Sequence, residues 1–307
     1  VTARLPQFTR SQLTQGLLPA LGAHAFWGSM PLYLILVREV PVFEFVAFRT
    51  LFTLPVCLAA VAWAGAWPEL RGVFADGRAM RTLAGSAALV AVNWCLYVWA
   101  IQSGHVYAAS LGYYILPLVM MLLGMVVLGE RLTRLQWAAV ALAGVGVTAL
   151  AVGALTTLWL SLSMAVTFAL YGLSRKTVAA GPLAGLAIES VLLAPVAGAV
   201  VVWYALSPGG SALGRDPVES LAITAGGLMT AIPLILFAKA ARAMPYTVIG
   251  FLQFISPTIV FILGLTVFGE ELRPAQLACF VAIWAAAAVF TWALLRGRSP
   301  DTQEATA

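Results

Sequence analysis

Apolar residues run through this chain in long stretches, and polar residues gather in short clusters between them. Crossing ~30 Å of hydrocarbon takes about 20 apolar residues in a helix, a conformation that satisfies its own backbone there. Ten stretches approach or reach that length: 16–37, 42–64, 80–101, 106–128, 135–152, 155–173, 182–205, 219–240, 246–268 and 275–295. The gaps hold turn formers such as Arg38-Glu39-Val40-Pro41, Gly65 to Arg78, Gly181-Pro182 and Ser207-Pro208-Gly209-Gly210. Most gaps are short, so consecutive spans are expected to run antiparallel. The predicted fold class is all-α, a polytopic membrane protein of ten transmembrane helices.

The pattern occurs twice. Pro117, Gly124, Gly129, Glu130, Leu132 and Gln136 return as Pro257, Gly264, Gly269, Glu270, Leu272 and Gln276, each 140 positions later. At that offset Pro55 also meets Pro195, Ala100 meets Ala240, and Arg49 meets Glu189; at 144, Trp27-Gly28 meets Tyr171-Gly172. Five spans per copy is an odd number, which turns the second copy upside down and predicts a five-plus-five inverted repeat. The expected organisation is a cytoplasmic segment 1–15, a first repeat 16–152, a second, inverted repeat 155–295 and a cytoplasmic tail 296–307.

Composition agrees: 62% of residues are hydrophobic and 9% charged, against roughly 45–50% and about 25% in soluble domains. In a soluble chain the net charge of +5 would suggest nucleic acid; here the cations sit between apolar runs and read as topology signals, with no nucleic-acid partner expected. With the N-terminus inside, thirteen Lys and Arg fall in inner segments and three, Arg38, Arg215 and Arg273, in outer ones. That bias predicts cytoplasmic termini. Arg4 and Arg10 before Ala23-His24-Ala25 imitate a signal peptide, but the apolar run continues to spanning length. Cys57, Cys95 and Cys279 lie apart in apolar runs, so neither a disulfide nor a metal site is expected. Hydrolase, zinc-protease and nucleotide-binding motifs are missing from the sequence. A secondary transporter without cofactor, embedded in the bilayer and acting on a small molecule, is the expectation. The oligomeric state stays open, a monomer being sufficient.

Ionisable and polar side chains at membrane depth are the candidates for chemistry, because burying them there is costly. Arg49 and Glu189 each lie about seven residues into a span. Arg49 is read either as holding an anionic substrate group or as a structural cation satisfied by Glu44, Glu189 or helix-end carbonyls. The candidate substrate-binding set is Arg49, Asn93, Tyr97, Ser110, Tyr113, Tyr171, Glu189 and Gln253; the structural alternative is interhelical hydrogen bonding. His24, Glu44 and Glu189 are proton-coupling candidates, with packing as the alternative for His24. Pro117 and Pro257 remove mid-span hydrogen bonds and are read as hinges or kinks; Gly124, Gly144 and Gly264 are read as close helix contacts. Glu130 and Glu270 are expected to cap the helix that follows each of them.

Several of these residues resemble a known family. Trp27-Gly28 with Pro31-Leu32-Tyr33, Arg49, Asn93-Trp94, Ser110-Leu111-Gly112-Tyr113 with Pro117-Leu118-Val119, and Leu128-Gly129-Glu130-Arg131 are similar to RarD-type proteins of the EamA branch of the drug/metabolite transporter superfamily. So are Phe168-Ala169-Leu170-Tyr171-Gly172 with Arg175-Lys176, Glu189 with Pro195, and Gly250-Phe251-Leu252-Gln253 with Pro257-Thr258. The resemblance runs from Gln15 to about Leu295 and departs at His24, where relatives often carry a residue that does not titrate. It implies a ten-helix exporter of the bacterial inner membrane, with amino acids, including aromatic ones, as substrates in the manner of YddG-like exporters, and chloramphenicol-like drugs as the alternative.

Overall fold

The computed structural model describes residues 10–103, 105–269 and 274–296. All regular structure among them is helical: α1 (Arg10–Leu34), α2 (Val42–Trp63), α3 (Trp67–Ala75), α4 (Gly77–Gln102), α5 (Val106–Leu128), α6 (Arg134–Ala151), α7 (Leu158–Thr177), α8 (Pro182–Leu206), α9 (Pro217–Ala243), α10 (Tyr246–Leu252), α11 (Ile255–Thr266) and α12 (Pro274–Arg296). Short 3-10 turns follow α1 and α6. Ten spans are long and apolar enough to cross a membrane, each matching one predicted stretch. The side of the bundle where α1 begins is here the basic face.

Two elements differ from the expectation. The gap from Gly65 to Arg78 contains α3, a nine-residue helix on the basic face, with Pro68 in its first turn. The ninth span is broken into α10 and α11 at Gln253 and Phe254. Pro257 explains where the break falls. Its ring meets the position of the carbonyl four residues back, that of Gln253, and in the first turn of α11 its missing N–H costs nothing. Pro117, the counterpart in the repeat, lies inside a continuous α5.

Small residues let the spans approach. A Cβ on Gly227 of α9 would overlap the Phe52 carbonyl of α2, and one on Gly146 of α6 would lie 2.9 Å from Ala282 of α12. Gly250 brings α10 against the basic-face half of α5, where its Cβ would stand 3.0 Å from the Pro117 oxygen and Met120 Cβ. Gly124 is equally tight, with Thr247 and the Glu130 carboxylate within 3 Å of such a Cβ. Gly144 has open space instead, so the close contact expected there does not form. Beyond the break, α11 leaves α5 and packs on α1. Thus α5 and the ninth span are pressed together toward the basic face and diverge toward the opposite one.

Carboxylates and cations tie the basic face. Gly129 takes the left-handed conformation that ends α5 (φ 67°) and lets the Glu130 N–H reach the Gly124 oxygen. The Glu130 carboxylate then accepts from the backbone N–H groups of Tyr246 (2.7 Å) and Thr247 (2.8 Å), at the start of α10. The expectation that it caps the following helix is therefore corrected: α6 is capped by the reciprocal Thr133 and Gln136 pair, leaving Glu130 free for a helix more than a hundred residues away. Glu270 lies outside the described residues. Lys176 donates to the oxygens of Ala241 and Met244 at the end of α9, Arg242 to those of Val178 and Ala180, and the Gly181 N–H to Glu69 of α3.

Candidate functional site

Arg49 lies two turns into α2, on the side opposite the basic face. Its guanidinium stands 4.5 Å above the Trp94 ring of α4, a geometry in which the cation meets the negative face of the indole. Tyr33 of α1, Tyr97 of α4 and Tyr113 of α5 are its electrostatic neighbours. Tyr97 and Tyr113 meet edge to face with ring centroids 6.0 Å apart, and Tyr113 is 39% exposed. The Arg49 Nε is buried without a hydrogen-bond partner. Among the described residues the ion pairs are Arg38–Glu39 and Arg175–Glu189, so Arg49 has neither of the carboxylates expected for it. Glu44 points elsewhere: its Oε1 accepts from Ser211 Oγ (2.7 Å) and from the Ala212 N–H (2.9 Å), holding the α8–α9 connection.

Glu189 shares a small cavity with Trp94. Arg175, in the last turn of α7, places Nη1 3.5 Å from its Oε1, and the Ser86 hydroxyl of α4 donates to the same oxygen at 2.5 Å. Arg175 Nη2 donates to the Pro182 oxygen at 2.7 Å. The guanidinium fills the space a Cβ on Gly185 would take, so this glycine makes room for the cation. Tyr171 is fully buried and neighbours both charges. Glu189 Oε2 has no partner. The carboxylate lines a cavity of about 10 Å³ with Thr50, Thr53, Val90, Trp94, Leu186, Ser190, Leu193, Thr230 and Leu234, room for about one water molecule. Four pairs of these residues, Thr50 with Ser190, Thr53 with Leu193, Val90 with Thr230 and Trp94 with Leu234, stand 140 positions apart.

The remaining candidates scatter. Asn93 donates to the Met164 oxygen (2.8 Å) and Thr167 Oγ1 (3.1 Å), tying α4 to α7. Ser110 lies exposed on α5. Gln253 is buried at the helix break with its Oε1 unpartnered. His24 is buried on α1, its Nδ1 3.3 Å from Ser256 Oγ of α11 and its Nε2 without a partner. The structure thus gathers Arg49, Tyr97 and Tyr113 at one place and Glu189 with Tyr171 at a neighbouring one, while Asn93, Ser110, Gln253 and His24 stand apart. Of the hinge and packing candidates, Pro117, Gly124, Pro257 and Gly264 are all buried. Arg175 was missed because a cation near a span end reads as a topology signal; Gly185, four residues before Glu189, is the sequence feature that accompanies it. No group of three or more His, Cys, Asp or Glu able to hold a metal occurs among the described residues.

The chain is 40% identical over 293 residues to an uncharacterized transporter of Pseudomonas aeruginosa, covering 93% of this chain and 97% of that protein. It is 37% identical to the protein RarD of Escherichia coli, covering 91% of this chain and 94% of the relative. Residues 14–152 match the EamA-like transporter family. The chain belongs to this family. A RarD-type relative thus extends across both copies of the sequence pattern, beyond the first one matched by the family description. A crystal structure of 19% identity shares the fold, with a TM-score of 0.72 over 95% of this chain and all of the other. The protein is a multi-pass membrane transporter of the drug/metabolite type.

Proposed function

We propose that this RarD-type transporter exports amino acids, including aromatic ones, and related metabolites across the bacterial inner membrane by alternating access between two inverted five-helix repeats. The carrying observation is Arg49: a guanidinium with a buried, unpartnered Nε, aromatic rings around it and, among the described residues, no carboxylate in ion-pair reach. Such a cation is costly at membrane depth unless an anion meets it. A substrate carboxylate supplies the anion, and Trp94, Tyr97 and Tyr113 offer faces and edges to an aromatic side chain. The cavity walls 140 positions apart support a site between the repeats. The ties on the basic face, which the Lys and Arg distribution assigns to the cytoplasm, support a state closed inward. The test is uptake of radiolabelled L-phenylalanine and L-tryptophan into proteoliposomes: saturable uptake is expected, reduced about tenfold or more in Arg49→Gln, a loss corresponding to one charge-assisted contact. Uptake unchanged in that variant removes Arg49 from the site.

A second reading, export of chloramphenicol-like drugs, is favoured by one relative, the chloramphenicol-sensitive protein RarD of Pseudomonas aeruginosa, 30% identical over 282 residues. Saturable chloramphenicol transport without amino-acid transport in the same vesicles would establish it.

A further inference from the structure

We infer that the site selects aromatic monocarboxylates by net charge, and that a substrate amino group is dispensable and disfavoured. The inference rests on the reading of Arg49 as the carboxylate-binding group and narrows the substrate class. It follows from the fixed charges around the site. Arg49 carries one positive charge and, among the described residues, has no carboxylate in ion-pair reach. Glu189, the carboxylate nearest the cavity, is already matched by Arg175, both being almost fully buried (2% and 1% exposed). Glu44 is committed to Ser211 and the Ala212 N–H. Lys176 is committed to carbonyls at the basic face, and His24 faces Ser256 between α1 and α11. Among the described residues Arg49 is thus the charge beside the site that has no ion-pair partner, its electrostatic neighbours being Tyr33, Tyr97 and Tyr113. A monocarboxylate neutralises that charge, whereas a zwitterion leaves the balance where it was.

The cavity beside Glu189 offers an ammonium little compensation. Four hydroxyls line the cavity, and each has given its proton to a carbonyl one turn back: Thr50 to Val46, Thr53 to Arg49, Ser190 to Leu186 and Thr230 to Gly226. They retain lone pairs but no charge. An ammonium would have to share Glu189 with Arg175, setting two buried cations on one carboxylate. Arg49 itself does not line that cavity, whereas the Trp94 ring beneath it does. Arg175 is accordingly a specificity-determining residue that acts through Glu189, keeping that carboxylate unavailable to the substrate.

The experiment compares [14C]phenylacetate, L-[14C]phenylalanine and [14C]phenethylamine in proteoliposomes of the full chain, with protein-free liposomes subtracted. The expected kcat/KM for phenylacetate exceeds that for phenylalanine by roughly tenfold to a hundredfold, the scale of one uncompensated charge at depth, and phenethylamine is not carried. Phenylalanine carried as well as phenylacetate overturns the inference while leaving the amino-acid reading intact; neither carried overturns both. Arg175→Met frees Glu189 and should move the ratio toward phenylalanine, and adding Glu189→Gln should move it back to the acid. A ratio unmoved by Arg175→Met removes Arg175 from selectivity. If that variant does not fold, the wild-type ratio alone decides.

Discussion

Gly185 shows how one missing methyl group can determine a charge's position. With any larger residue there, the Arg175 guanidinium would lose its place between the Pro182 oxygen and Glu189. Gly185→Ala is therefore expected to lower stability by about 1–3 kcal/mol, the usual cost of overpacking, read as a lower thermal midpoint of the purified protein in detergent. An unchanged midpoint would mean that the guanidinium moves aside at little cost. Arg49 could be picked out from sequence because it is the one Lys or Arg well inside an apolar run. Arg175 could not, because its burial depends on α8 folding back over it, and no local pattern reports that. The expected pairing of Arg49 with Glu44 or Glu189 failed for a related reason. Equivalent positions in a repeat share depth but need not face each other, and nearer partners took both carboxylates.

At the scale of elements, the apolar runs defined the spans well, since length and hydropathy are local properties. The connections between spans were less legible. Glu130 followed a glycine at a helix end, which is enough to suggest a cap, but the identity of the capped helix is set by tertiary packing. With Thr133 and Gln136 already serving α6, the carboxylate closes the start of α10, where two N–H groups and the helix dipole favour negative charge. Glu130→Gln keeps one acceptor and loses the charge, so a loss of about 1–2 kcal/mol is expected, measured by thermal unfolding beside Glu39→Gln as an exposed control. A loss no larger than the control's would show that the bond contributes little. The broken ninth span was partly legible: Pro257 marked a disturbance, yet Pro117 marked the same disturbance in α5, which stays continuous. Nothing in the structure explains why only one of the two spans breaks.

Over the whole molecule, the orientation proposed from the cation distribution makes a testable prediction. The connection between α2 and α4 should be cytoplasmic and that between α8 and α9 periplasmic. In a background lacking Cys57, Cys95 and Cys279, a membrane-impermeant maleimide is expected to label Ser207→Cys in intact cells and Asp76→Cys only after permeabilisation; the reverse pattern would invert the topology. This expectation comes from the sequence alone, because positive charge is counted loop by loop. The sequence did not carry the division of labour at the centre, where side chains from spans distant in sequence meet around Trp94.

The bonds between early and late spans also bear on how the chain is made. Ser86, Asn93 and Glu130 all belong to the first five spans, and their partners, Glu189, Met164 with Thr167, and Tyr246 with Thr247, are all synthesised later. During translation these groups are therefore made before their partners, Ser86 and Asn93 within a span and Glu130 at the basic face, Glu130 with the longest interval in sequence. Biogenesis thus has a built-in order, and the final one of these bonds to form is the one that seats α10 against α5.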